Sequence, residues 1–191
     1  MPNWSNCIYR IKGKRKHLRN LNSILNKLGK RKNPLEDSDF GNYWLGCLVK
    51  ALGSSWREVD GCRGEIYSYN LYKDYLEINF EVAWSESKEL RDFLERYYNN
   101  EIKIWFYQEE PGCGVFETNS YDEFGFKYSL DGEIESLPEY YNSLEDVAAK
   151  VGEITGEKVN PSIKEIEDAI EKAEEKDNIW MSLNKFELVK E

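Results

Sequence analysis

The ten residues YLEINFEVAW, from Tyr75 to Trp84, decide the predicted fold. Successive side chains of a strand point to opposite faces, and apolar and polar residues alternate here from Leu76 to Val82. The apolar positions are Leu76, Ile78, Phe80 and Val82. The segment therefore predicts a strand with one face in the core and the other in water, and the preceding run from Glu65 to Tyr72 predicts its neighbour.

Working outward toward the N-terminus, NWSNCIYRIKG predicts a strand with both faces partly buried, ended by Gly13. Residues 14–30 place leucine and isoleucine at helical spacing with a basic outer face, and Gly29 closes the last turn. Residues 43–52 predict a short buried helix, with a strand as the alternative.

Toward the C-terminus, Ser85 or Ser87 can cap a helix, and IKIWFY at 102–107 predicts a strand, with residues 125–130 as its candidate partner. The order is then strand, helix, short helix, strand, strand, helix, strand. This order predicts an α+β fold: a ferredoxin-like split β-α-β-β-α-β antiparallel sheet with an inserted short helix.

The composition changes after about Pro138. Ser143 and Ser162 each begin a capping pattern ahead of an apolar run, which predicts two helices with acidic outer sides. The terminal NIWMSLNKFELV predicts a final strand. We therefore expect a ferredoxin-like domain at 1–137 and, packed on it, an acidic helical extension at 138–191.

Charge is distributed unevenly. The net charge is −10, yet the first 32 residues hold ten Lys and Arg and no acid, which leaves 16 bases against 36 acids in the remainder. The N-terminus lacks the apolar run of a secretion signal, and no stretch is long enough to span a membrane. We expect a soluble cytoplasmic protein without a membrane partner.

This asymmetry supports two opposite functions. An acidic surface would attract a basic protein, with candidate contacts at Glu165, Glu167, Asp168, Glu171, Glu174 and Glu175. A basic surface would bind nucleic acid, with candidate contacts at Lys14, Arg15, Lys16, Arg19, Arg31 and Lys32. Exposed sheet aromatics could also stack bases, but Glu77 and Glu81 are expected on the same face, which disfavours nucleic acid.

EEPGCG, from Glu109 to Gly114, has the appearance of an active-site loop. Pro111 followed by Gly112 predicts a type II turn, and Gly114 a bulge where the next strand starts. The surrounding glutamates would disfavour a Cys113 thiolate, and His17 has no sequence reason to lie beside it. We therefore predict a structural turn and no catalytic residue.

The four cysteines lie far apart and only one histidine accompanies them, which argues against a metal site, and no phosphate-binding motif suggests a cofactor. Without a secretion signal we expect reduced, mostly buried thiols.

Four segments together resemble the YubB-type ferredoxin-like proteins of plasmids and phages: MPNWSN at the N-terminus, LGSSWREVD at 52–60, FEVAWS at 80–85 and EEPGCGVF at 109–116. The resemblance covers about residues 1–132. Ser5, Val82 and the pair Glu86-Ser87 depart from the family's usual Cys, Thr and Pro-Pro. It implies a ferredoxin-like fold and an origin on a mobile element, but no activity.

From these observations we expect a non-enzymatic accessory protein of a phage or plasmid that binds a host protein, in one version as an acidic inhibitor of a defence nuclease. The alternative is a small nucleic-acid-binding module that uses the basic N-terminal helix.

Overall fold

The strand predicted from YLEINFEVAW is present at Tyr75–Ala83 in the computed structural model of the protein, which describes residues 3–190 and has an α+β fold. The chain divides into two compact units, Met1–Val115 and Phe116–Glu191. The strands of the first unit are β1 (Trp4–Gly13), β2 (Gly64–Leu71), β3 (Tyr75–Ala83) and β4 (Ile102–Glu110). Its helices are α1 (Arg15–Gly29), α2 (Leu45–Ala51) and α3 (Lys88–Tyr97).

The sheet of the first unit has the strand order β2-β3-β1-β4, with every neighbouring pair antiparallel. The alternation predicted for β3 is present, since its four apolar side chains are buried and the residues between them are half-buried. Cys7, Tyr9 and Ile11 of β1 are buried likewise. The sheet therefore has one core face and one face that is partly accessible to water.

Helix α1 contributes four fully buried leucines to this core: Leu18, Leu21, Leu25 and Leu28. Burying a leucine side chain contributes about 1.5–3 kcal/mol each, which makes this stripe a major part of the unit's stability. The region 43–52 contains the helix α2 (Leu45–Ala51) rather than a strand, and five of the seven helical residues are buried.

The second unit contains the strands β5 (Val115–Thr118), β6 (Tyr128–Gly132), β7 (Glu139–Tyr141), β8 (Met181–Lys185) and β9 (Glu187–Leu188). Its helices are α4 (Tyr121–Phe124), α5 (Leu144–Thr155) and α6 (Ile163–Asp177). Strands β7, β6 and β8 form an antiparallel sheet in that order, and β5 pairs with β9 in parallel. The prediction of a final strand in NIWMSLNKFELV is thus confirmed.

Strand β6 corrects one prediction. The segment 125–130 was expected to pair with the strand at 102–107, but the strand in this region pairs with β7 and β8. Leu130 of this strand is buried in one core with residues of α5, α6 and β8. This shared core explains why the second compact unit starts at Phe116, whereas the composition changes only near Pro138.

Serine side chains cap three helices as their sequence patterns predict. Ser87 precedes α3, Ser143 precedes α5 and Ser162 precedes α6, and each hydroxyl accepts a hydrogen bond of 3.2–3.3 Å from the backbone N–H three residues later. Such a bond satisfies one of the unpaired donors of a helix start. For α3 the cap is therefore Ser87 and not Ser85.

Within residues 3–190, no helix combines the length and the apolar character that crossing a membrane requires.

Gly64 at the start of β2 lies very close to the backbone of β3. A Cβ there would lie 2.0 Å from the carbonyl oxygen of Glu81 and 2.8 Å from the Cα of Val82. Because both are backbone atoms of the neighbouring strand, we expect Gly64→Ala to lower the free energy of unfolding by about 2 kcal/mol in urea denaturation.

Asn70→Ala, at an exposed position of the same strand, is the control and should change stability by less than about 0.5 kcal/mol. Equal stability of the two variants would contradict the close approach.

Candidate functional site

A cavity with a volume of about 830 Å³ lies in the first unit, beyond the end of β3. Three kinds of side chain dominate its lining: four aromatic rings, four carboxylates and two guanidinium groups. They belong to Phe40, Trp44, Trp56, Trp84, Asp39, Glu58, Asp60, Glu89, Arg57 and Arg63. We call this cavity the tryptophan pocket. Its size lies within the range of small-molecule and side-chain binding sites.

Trp84 is the most unusual residue of the pocket. Its φ is +74°, a conformation that a bulky residue rarely adopts. The backbone N–H of Ser85 donates to the carbonyl of Ala83 at 3.1 Å, which closes a three-residue turn around Trp84. A turn of this form with positive φ is rare and strained. The indole is nevertheless 56% exposed, so burial of the ring does not explain why the strain is kept.

Hydrogen bonds on both sides hold this turn in place. The backbone N–H of Trp84 donates to the carbonyl of Asn3 at 2.8 Å, and that of Ala83 donates to the carbonyl of Arg63 at 2.9 Å. The N–H of Glu86 donates to the side-chain oxygen of Gln108 at 2.6 Å. A strained residue persists only where its surroundings over-determine it, and these bonds fix the chain immediately before and after Trp84.

A buried polar network continues from Glu86. Its carboxylate accepts hydrogen bonds from Arg91 at 2.6 Å and from the Tyr9 hydroxyl at 2.5 Å. The side chains of Glu86 and Arg91 are only 3% and 4% exposed. Burial raises the pKa of Glu86 in spite of its ion pair with Arg91, and burial together with the Glu86 charge raises the pKa of Tyr9. The network has no open face and serves to anchor the segment that follows Trp84.

Trp44 and Trp56 form the inner wall of the pocket. The indole N–H of buried Trp44 donates to the carbonyl of Cys62 at 2.6 Å, and its ring lies 5.3 Å from that of Trp56. The guanidinium of Arg57 lies over the Trp56 ring at 4.5 Å. Burial raises the pKa of the Cys62 thiol to about 12, so this cysteine at the pocket wall is protonated at neutral pH.

Two of the four segments that carry the family resemblance, 52–60 and 80–85, contribute to the lining of this pocket, and the N-terminal segment contacts it. Asn3 contacts both Trp84 and Cys113, and the neighbouring Trp4 packs edge-on against Phe40 with ring centroids 5.8 Å apart. Sequence reasoning did not predict this site. The available signal was that three of the four segments contain a tryptophan.

The six charged side chains of the pocket lie near one another without pairing. Within the described residues 3–190, none of them forms an ion pair with another side chain. Asp60 accepts a hydrogen bond from its neighbour Gly61, and Glu58 accepts one from Ser54. The pocket therefore combines an aromatic wall with a surplus of two negative charges.

The EEPGCG turn corrects part of its prediction. Pro111 begins a single turn of 3-10 helix, and the Glu110 carboxylate caps it by accepting from the backbone N–H of Cys113. Gly112 does not have the positive φ of a type II turn; Gly114 does, at +67°. Because residues 111–113 form a helical turn, the residue with left-handed φ is Gly114, two residues after the predicted Gly112.

Cys113 and His17 lie in different surroundings. The exposed Cys113 thiol contacts the Asn3 side chain. His17 contacts the Glu101 carboxylate at 2.5 Å and lies against the ring of Tyr98. The structure does not bring the thiol and the imidazole together, and no group of three potential metal ligands occurs in the part of the chain that it describes.

The basic candidates do not form one surface. Lys14 and Lys16 both pair with Glu101, and the Arg15 guanidinium donates to the carbonyl of Tyr72. Arg31 and Lys32 lie beyond the other end of α1, a helix that spans about 22 Å for its 15 residues. Arg19 is exposed on the helix between these two groups.

Two aromatic residues of the open sheet face, Tyr75 and Trp105, already have cationic neighbours. The Arg10 guanidinium lies 4.9 Å from the centroid of Tyr75 and pairs with Glu77 at 3.2 Å, and the Lys12 ammonium lies 5.6 Å from that of Trp105. Base stacking would have to displace these contacts, which disfavours nucleic acid on this face.

The acidic candidates all lie on α6 and are exposed. Its apolar residues Ile166, Ala169, Ile170 and Ala173 are buried on the other side of the helix.

The sequence matches no protein-family model, and no curated protein resembles it significantly.

We predict that the strain at Trp84 is measurable as a difference between two truncations. Glycine adopts positive φ freely, whereas alanine does not, so Trp84→Gly should be about 1 kcal/mol more stable than Trp84→Ala in urea denaturation. Both variants lack the indole, which removes the side chain from the comparison. The same pair of substitutions at the exposed Lys172 in the interior of α6, where the backbone is helical, should give the opposite order.

The Glu101 cluster gives a second prediction. Hydrogen bonds from Lys14 and His17 lower the pKa of Glu101 to about 2. Because Lys14 is the largest cause, Lys14→Met should raise this pKa toward the ordinary value for glutamate, measured by NMR titration of the carboxyl carbon. Lys27→Met, at an exposed position of the same helix, should leave it unchanged. Glu101 becomes protonated, and loses its charge, when the pH falls through this lowered pKa. Its ion pairs are therefore present at neutral pH and lost near pH 2.

Proposed function

We propose that the protein is a binding protein rather than an enzyme and that it holds a partner protein at the tryptophan pocket. The observation that carries this proposal is Trp84, an exposed indole kept in a strained turn at the mouth of a cavity. Strain of this kind clusters at functional sites, and tryptophan is among the residues that contribute most to protein interfaces.

We also propose that the first unit is a ferredoxin-like domain. Its strand order β2-β3-β1-β4, its antiparallel pairs and the helices α1 and α3 between the strands support this arrangement. The resemblance to YubB-type proteins supports a role as an accessory protein of a phage or plasmid, with a protein of the bacterial host as partner.

The acids of α6 give this proposal a sharper form, in which the protein inhibits a host defence nuclease by presenting carboxylates where DNA phosphates would bind. Six exposed acids on one helix with few bases support it. The tryptophan pocket and the α6 acids lie in different units, so substitutions can test the two surfaces separately.

The test is affinity purification of the tagged protein from host lysate, with and without nuclease treatment. We expect a host protein that survives the nuclease and is lost with Trp84→Ala but retained with Trp180→Ala, which removes a similarly exposed tryptophan from the second unit. Trp84 at an interface centre should account for about tenfold or more in affinity.

A variant that replaces the six acids of α6 with their amides tests the inhibitor form of the proposal separately. Loss of the partner in this variant would support the acidic surface as a second contact. Recovery of nucleic acid alone, removed by nuclease, would favour the alternative at the basic helix α1. Recovery of the same proteins by all variants would show that the tryptophan pocket is not the binding site.

A further inference from the structure

The rings of the tryptophan pocket differ in what already covers them. The guanidinium of Arg57 occupies the face of Trp56 at 4.5 Å. Trp84 has neither a ring nor a cationic partner among residues 3–190, although it is the most exposed of the four rings. The pocket thus contains one ring–cation pair and one exposed indole of the type that cations prefer.

The carboxylates of the pocket are equally unmatched. Asp39, Glu58, Asp60 and Glu89 have no cationic partner in the described part of the chain, and the guanidinium of Arg57 is already stacked on a ring. Arg63 is the remaining base of the lining. A surplus of two negative charges beside an exposed indole favours a cationic ligand over a phosphate.

We propose that the tryptophan pocket binds an arginine side chain of the partner protein, with its guanidinium stacked on Trp84 and hydrogen-bonded to the carboxylates of the lining. This inference rests on the proposed function and names the chemistry of its partner. Arginine fits better than lysine because its guanidinium is planar, stacks on an aromatic face and presents several donors to carboxylates at once. The Arg57–Trp56 pair is the same contact made within the chain.

The cavity of about 830 Å³ is larger than one arginine side chain needs. It can therefore also admit the flanking backbone, so a short peptide is a suitable probe. Because the contact combines charge with a ring face, binding should weaken with salt, and it should be lost when the cation is replaced by a neutral side chain.

The experiment uses the full chain and three short peptides that alternate glycine with arginine, lysine or glutamine. Binding is measured by isothermal titration calorimetry for every variant, and the NMR signal of the Trp84 indole N–H reports contact with that ring in the wild-type protein. We expect the arginine peptide to shift this signal, the lysine peptide to bind several-fold more weakly and the glutamine peptide not to bind.

Trp84→Ala should weaken arginine-peptide binding about tenfold, while Trp84→Phe, which keeps a ring, should retain part of it. The double variant Asp39→Asn/Glu89→Gln should weaken it about fivefold or more, whereas Glu133→Gln/Glu135→Gln, exposed acids of the second unit, should not.

Equal binding of the arginine and lysine peptides that survives Trp84→Ala would overturn the proposal, since it would show attraction by net charge alone. A Trp84 shift with a nucleotide but not with the arginine peptide would overturn it in favour of a base-stacking site. A host partner that requires Trp84 but is not displaced by the arginine peptide would refute this inference and leave the proposed function intact. If host capture does not depend on Trp84, the proposed function itself fails.

Discussion

The central strand β1 is the element on which the first unit depends, because it is hydrogen-bonded to β3 on one side and to β4 on the other. Its register places Trp4 opposite Ala83, and the preceding Asn3 accepts the hydrogen bond from Trp84. Further along the strand, Tyr9 reaches the buried Glu86. A shift of one residue would turn every side chain to the other face, so the register that builds the core also sets the turn at Trp84.

The energetics of this turn show a division of roles. A buried ion pair such as Glu86–Arg91 contributes little net stability compared with an apolar pair of the same size, because both charges lose their hydration. The raised pKa of Glu86 has the same cause. What the pair supplies is position: it fixes the residues after Trp84, while β1 fixes those before it. A strained backbone at Trp84 and a buried ion pair that loses its hydration therefore lie next to each other. Natural proteins commonly accept such departures from the most stable sequence at functional sites.

Part of this structure could be predicted from the sequence. Alternation at Tyr75–Ala83 and the leucine stripe of α1 reflect burial directly, and the serine caps depend only on local hydrogen bonds, so all three were recognisable. The partners of β6 were not, because pairing depends on distant residues of β7 and β8. At EEPGCG the pattern predicted a turn correctly but placed the left-handed conformation at Gly112 instead of Gly114. The reason is that the carboxylate of Glu110 caps a helical turn at residues 111–113.

The tryptophan pocket was beyond sequence reasoning for a different reason. Its lining comes from segments that are up to about 50 residues apart, and only the fold brings them together. The charge asymmetry pointed instead to α1. In the structure, part of that basic charge is paired with acids of the same unit, since Lys14 and Lys16 pair with Glu101 and Arg10 pairs with Glu77. The remainder of the chain holds 36 acids against 16 bases, so the net charge of −10 comes from its carboxylates.

Those carboxylates and Trp84 act over different distances. The field of a negatively charged protein reaches about 8–10 Å at physiological salt and accelerates the approach of any basic partner without distinguishing among them. A ring face distinguishes only at contact, where the shape and hydration of the cation matter. In the proposed complex the acids would set how often a basic partner arrives and Trp84 would set which one stays, and this division would account for an exposed indole in a strained turn on an acidic protein.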